Sequence, residues 1–146
     1  MSDILIGVEL THPDAKTPKY SHTGDAGADV YSVERRVIWA GTTAVIDLGI
    51  KLEIPDGWEV QVRSRSGLAA KHGIFVLNAP GTIDSGYRGP CKVMLHNSSR
   101  ETYTVEVGER IAQFVIKRAP QADFHQINKV GETERGSGGF GSTGKK

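Results

Sequence analysis

Apolar and polar residues alternate with a period of two through much of the chain. In residues 4–10 the apolar Ile4, Ile6, Val8 and Leu10 fall on one side, the signature of a half-buried strand. His12-Pro13-Asp14 ends that run. Short strand-like runs recur at 37–39, 43–48, 50–54 and 58–62, punctuated by Gly41, Gly49 and Pro55-Asp56-Gly57. Residues 92–97 and 103–107 read as hairpin strands joined through Asn97-Ser98-Ser99-Arg100, and 111–117 as a further strand. This spacing of strands and turns predicts an all-β sandwich or barrel. The pattern breaks at residues 63–73. Ser66 suits an N-cap, Leu68 to Lys71 are helix formers and Gly73 suits a stop, so a single helix of about two turns is expected. Residues 120–130 read as extended and peripheral. No internal repeat or heptad pattern is present.

Polar residues concentrate at 77–91, LNAPGTIDSGYRGPC. Asn78, Asp84, Tyr87 and Arg88 lie there among glycines and prolines that bend the backbone and let it approach a ligand. Gly81-Thr82-Ile83 reads as a short strand presenting Asp84 at a rim, where a carboxylate is a candidate base. Asp-Ser-Gly is equally an ordinary turn in which Asp bonds its own backbone. Arg65 and the Ser66 hydroxyl precede the expected helix, where free N–H groups favour an anion; a solvated arginine pair beside a cap is the plainer reading. Gln113 interrupts an apolar strand and needs a partner, since an unpaired buried amide costs roughly 1–3 kcal/mol. Backbone or ligand would serve. Asp29, after three small residues and before a strand, is a turn residue or an outer ligand of a hydrated metal.

Composition narrows the classes. The chain's 146 residues fit one domain with a real core. Its 18 Lys+Arg against 17 Asp+Glu, net +1, create no global field for nucleic acid or an anionic membrane. The one cysteine, Cys91, excludes an internal disulfide and a thiol-pair zinc site and reads as a packed thiol. No apolar run approaches the ~20 residues of a membrane span, and no basic-then-apolar leader opens the chain. A soluble, unsecreted protein of cytoplasm or nucleus is expected, with Asn97-Ser98-Ser99 a turn and not a glycosylation acceptor.

The tail has almost no apolar content with which to order itself. Gly136, Gly138 and Gly141 spell the dinucleotide fingerprint, and residues 139–146 loosely a phosphate loop. Neither is followed by the helix that such motifs need. What remains is a flexible arm carrying Arg135 and Phe140, able to offer a cation, a stacking ring and N–H donors.

Five segments, DAGADVYS at 25–32, RSRSGLA at 63–69, NAPGTIDSGYRG at 78–89, GERIAQFV at 108–115 and RGSGGFGSTG at 135–144, resemble in order and spacing the motifs of trimeric dUTP diphosphatases (dUTPases). Ser64 stands where many members have Pro, and Arg63 adds a charge without an assigned role. The resemblance implies a jelly-roll-like distorted β-barrel over residues 1–130, with one short helix, and a flexible arm over 131–146. It implies a homotrimer with shared sites, the arm closing over a neighbour's site. The implied reaction is hydrolysis of dUTP to dUMP and pyrophosphate by water attack at the α-phosphorus, limiting uracil in DNA and supplying dUMP.

The same resemblance assigns residues. Asp84 would deprotonate the water and contact the 3′-hydroxyl. Tyr87 would exclude a 2′-hydroxyl. Asn78 would pair with uracil, aided by main-chain groups around Gly81, Ile83 and Lys92. Arg65, Ser66, Gly67 and Gln113 would bind phosphates, and Asp29 would act through water on a Mg2+ held mainly by those phosphates. From the arm, Arg135 would pair with the terminal phosphate, Phe140 would stack on the base, and Gly141, Ser142 and Thr143 would add contacts. Rival readings are a dCTP deaminase-like enzyme of the same fold and a non-catalytic jelly-roll binding module.

Overall fold

The computed structural model describes residues 4–146. Its strands are β1 (Gly7–Leu10), β2 (Gly27–Tyr31), β3 (Arg36–Ile38), β4 (Thr43–Asp47), β5 (Ile50–Glu53) and β6 (Trp58–Arg63). The helix α1 (Ser66–His72) follows, then β7 (Ile74–Val76), β8 (Gly81–Ile83), β9 (Lys92–Asn97), β10 (Tyr103–Val105) and β11 (Arg110–Arg118). They form four sheets, ordered β1-β5, β10-β3, β2-β11-β6-β8 and β4-β9-β7, with every strand pairing antiparallel. The jelly-roll layout is therefore assembled from small sheets facing one core and not from one closed ladder of strands.

The period-two pattern produces this burial directly. In β4, Ala44 and Ile46 turn inward while Val45 is exposed; in β9, Val93, Leu95 and Asn97 turn inward while Lys92 and Met94 turn outward. Ile46, Val60, Ile74, Leu95 and Val105 are fully enclosed, each such side chain contributing roughly 1.5–3 kcal/mol by leaving water. The central strand β11 is covered on both faces, with Ile111, Ala112, Phe114 and Val115 all buried. Its paired neighbours β2 and β6 thus hold the residues opposite Gln113 in fixed register.

Several sequence expectations need correction. The first strand begins at Gly7, although Ile4 is half-buried and Ile6 packs half-buried against the core. The residues before the helix differ too: Arg65 occupies the cap position without a side-chain cap bond, and Ser66 is the first helical residue. Gly73 ends the helix as expected, left-handed at φ 66°, its N–H reaching Ala69 O and Leu68 O. The strand β7 is absent from the sequence reading because Ile74-Phe75-Val76 is apolar throughout and shows no alternation.

β9 and β10 do not form a hairpin. β9 lies between β4 and β7, and β10 pairs with β3. Asn97 accounts for the divergence: fully buried, its amide donates to Ile38 O (2.9 Å) and Glu101 O (2.8 Å) and accepts from Ser99 N–H and Ser99 Oγ–H. This satisfied amide folds the connection across to β3, so Asn97-Ser98-Ser99 is a structural turn. Beyond Arg118 no further strand or helix forms among the described residues; Ala119 N–H bonds Gly57 O, and Phe124, Ile127 and Val130 are exposed. No helix is long and apolar enough to cross a membrane among the described residues.

Candidate functional site

The polar turn builds one side of an open groove of about 420 Å³. β8 lies on the edge of its sheet, pairing Val62 with Gly81 and Val60 with Ile83. A Cβ at Gly81 would meet Val62 Cβ at 3.1 Å and the Asn78 amide nitrogen at 3.4 Å, so glycine here lets the Asn78 amide sit against the strand. Asn78, Gly81, Ile83, Asp84, Tyr87 and Lys92 all line this groove. Cys91 closes its floor, 2 % exposed, its thiol pushed up to about 11 by burial and by the Asp47 charge; it is the packed thiol expected.

Two aspartates elsewhere show what turn use looks like: Asp25 Oδ2 accepts His22 N–H (2.8 Å) and Asp47 Oδ1 accepts Gly49 N–H (2.8 Å). The turn at Asp84 is closed differently, by Tyr87 N–H donating to the Asp84 carbonyl (3.1 Å). The exposed carboxylate is thereby left for the groove. Arg88 braces the bend through Nη1 to Ser85 O (2.6 Å) and Tyr87 O (3.2 Å), and the Tyr87 hydroxyl donates to Pro90 O (3.0 Å).

A second cluster surrounds Asp29, buried at 3 % exposure and directly opposite Gln113. Its Oδ1 accepts Gln113 Nε2 (3.2 Å) and faces Arg65 Nε (3.3 Å); its Oδ2 accepts Arg110 Nη1 (3.1 Å) and Ser21 Oγ (3.1 Å). Burial pushes the Asp29 pKa up, but the Gln113, Arg110 and Ser21 hydrogen bonds and the Arg65 charge outweigh it, holding the carboxyl below the ordinary range. Arg65 is fixed further by Nη1 donating to Arg110 O (3.2 Å). Ser66 and Gly67 are exposed where the helix begins, with open space around Gly67.

Neither Arg110 nor Ser21 stands out in the sequence as a site residue. Arg110 opens β11 as one charge among many, and Ser21 lies in a featureless loop, so only the fold shows that both anchor Asp29. Gln113 has its partner in Asp29, a possibility that neither backbone nor ligand covered. Ser64 Oγ accepts Val76 N–H (2.9 Å), a bond that proline could not make. Arg63 leans on Gln61 Oε1 (3.2 and 2.7 Å) along the exposed face of β6.

For a metal, no group of three or more His, Cys, Asp or Glu gathers among the described residues. Mg2+ keeps several waters and is commonly held by one or two carboxylates plus substrate phosphates. Asp29 is the carboxylate nearest these cationic and amide groups, but both its oxygens already face donors, Gln113 and Arg65 on one and Arg110 and Ser21 on the other, so contact with a hydrated ion through water would require one of these donors to yield.

One chain does not bring its two clusters together. None of Asp29, Arg65, Ser66 and Gln113 lines the groove. β2 and β8 are opposite edges of the four-stranded sheet, about 14 Å apart at ~4.8 Å per strand. Asp29 pairs across Gln113 to Arg63, one residue out of step with the Val62–Gly81 pair, so Asp29 and Gln113 lie on the opposite face of the sheet from Gly81 and Ile83, and on the same face as Thr82. The tail joins neither. Arg135 Nε bonds Gly138 O (3.0 Å), Ser142 N–H bonds Gly139 O, Gly141 is left-handed at φ 83°, and Phe140 and Thr143 are exposed.

The dUTPase family model matches residues 13–144. A deoxyuridine 5′-triphosphate nucleotidohydrolase of Clostridium tetani is 46 % identical over 145 residues, 99 % of this chain and 100 % of that one. The enzyme of the same name from Clostridium acetobutylicum is 51 % identical over 129 residues, 88 % and 89 % of the two chains. Among solved structures, the Staphylococcus bacteriophage 80alpha dUTPase with dUpNHpp matches with TM-score 0.90 and 29 % identity over 97 % of this chain and 99 % of that one.

Proposed function

This chain belongs to the dUTPase family and hydrolyses dUTP, and on that premise we propose that water deprotonated at Asp84 attacks the α-phosphorus. The new bond joins the water oxygen to the α-phosphorus, the bond to the bridging oxygen breaks, and dUMP and pyrophosphate leave. The observation that carries this reading is the Asp84 turn, closed by its carbonyl so that the carboxylate is free to act as a base.

Asn78 and the main chain around Gly81, Ile83 and Lys92 pair with the uracil edge, rejecting cytosine because mismatched donors and acceptors would be buried unpaired. Asp84 also holds the 3′-hydroxyl, and Tyr87 blocks a 2′-hydroxyl. Arg65, Ser66, Gly67 and Gln113 take the phosphate chain. Asp29 orients Arg65 and Gln113, and would accept from the water shell of a bound Mg2+ once one of its present donors yields. When bound, Mg2+ neutralises phosphate charge.

Because none of Asp29, Arg65, Ser66 and Gln113 lines the groove, a single triphosphate is best served by a groove from one copy and a phosphate cluster from another. That division supports a homo-oligomer with shared sites, such as the homotrimer that the family resemblance implies. The arm, residues 131–146, closes with Arg135 on the terminal phosphate, Phe140 over the base, and Gly141, Ser142 and Thr143 on phosphate oxygens. Pyrophosphate release measured with and without Mg2+ from dUTP, UTP, dTTP and dCTP tests the reading. Release confined to dUTP and dependent on Mg2+ is expected; equal release from UTP, or uracil nucleotide formed from dCTP, would overturn it.

A further inference from the structure

We propose that Gly89 is a positioning residue for sugar discrimination, its missing side chain leaving the space that the Tyr87 ring occupies. This inference rests on reading Tyr87 as the barrier to a 2′-hydroxyl. Gly41, Gly49, Gly57 and Gly73 have positive φ and serve the backbone, whereas Gly89 does not, so no left-handed φ calls for glycine there. Gly86, in the same bend, has nothing within 4 Å of an added Cβ. At Gly89 an added Cβ would lie 2.6 Å from Tyr87 Cζ and 2.9 Å from Cε2, and closer still to the phenol oxygen. All three nearest atoms belong to one side chain.

That ring is tied at both ends: Tyr87 N–H bonds Asp84 O, and its hydroxyl donates to Pro90 O across Gly89 (3.0 Å). Being 45 % exposed, it has solvent to retreat into. A methyl at residue 89 would therefore displace the ring by about 1 Å to regain ordinary carbon contact. The chain would still fold. A barrier that acts by steric conflict loses selectivity over such a distance, and a misplacement of that size can cost ~10²-fold.

The test is kcat/KM for dUTP and for UTP in wild type, Gly89→Ala, Tyr87→Ala and the double variant, with thermal unfolding of each. Gly89→Ala is expected to lower the dUTP:UTP ratio about tenfold or more with its unfolding midpoint unchanged, and to add nothing once Tyr87 is alanine. An unchanged ratio in Gly89→Ala, beside a lowered ratio in Tyr87→Ala, refutes the role of Gly89. An unchanged ratio in Tyr87→Ala refutes the reading of Tyr87 itself. Should Gly89→Ala fail to fold, a folded double variant still supports the ring clash; a double variant that also fails to fold refutes it.

Discussion

Asp29→Asn removes one charge while keeping the shape of the side chain, and so isolates the ion cluster on which Arg65 depends. Each carboxylate oxygen now faces two donors: Gln113 and Arg65 on Oδ1, Ser21 and Arg110 on Oδ2. An asparagine must turn its NH2 toward one pair, where Ser21 can rotate its hydroxyl, or Gln113 flip its amide, to accept, but the guanidinium can only donate. The loss is one charged contact, the Arg110 hydrogen bond or the Arg65 ion pair. Arg110, 49 % exposed, recovers part of its share in water. A destabilisation of roughly 2–3 kcal/mol remains. With unfolding entropy of about 2.1 cal/mol/K per residue, this lowers Tm by about 6–10 °C.

The pH dependence has a definite sign. The folded pKa of Asp29 is lowered, so its stabilisation is complete above about pH 3.9, the ordinary aspartate value, and is lost as pH falls through the lower folded value. Thermal unfolding of wild type and Asp29→Asn at neutral pH and through the range below pH 4 should show the Tm gap closing with acid. A gap under about 2 °C at neutral pH, or one that persists unchanged in acid, would refute the reasoning.

Mixing refolded Asp84→Asn chains with Arg65→Ala chains should restore dUTP hydrolysis absent from either alone, since some sites then combine an intact groove with an intact phosphate cluster; no recovery would place each site within one chain. Deleting residues 135–146 should lower kcat/KM at least tenfold by removing phosphate contacts and closure, with circular dichroism unchanged; full activity in the shortened chain would refute a closing arm. The Cys91 thiol, with its pKa near 11, should resist a thiol reagent at pH 8 in the folded protein and react once denatured; rapid modification of the native protein would show that it is not packed.

The strands were legible because each buries one face, and Ile46, Val93 and Leu95 declare that face by alternation. Partner choice was not legible. Nothing local in residues 92–105 says that β9 and β10 diverge; that follows from the long-range bonds of Asn97 to Ile38 and the 98–102 turn. The groove residues could be named because turn chemistry and ligand chemistry coincide in 77–91, and the motif resemblance supplied their roles. Arg110 could not, because its importance lies in facing Asp29 across 81 positions of sequence. The separation of groove and phosphate cluster was equally hidden, since strand order in a sheet is not written in any one segment.

Hydrolysis of dUTP in water enriched in oxygen-18, with mass analysis of both products, tests the central chemistry most directly. Attack at the α-phosphorus predicts one heavy oxygen in dUMP and none in pyrophosphate. Label in pyrophosphate, with unlabelled dUMP, would mean that water attacks the β-phosphorus and that Asp84 does not direct the reaction proposed for it.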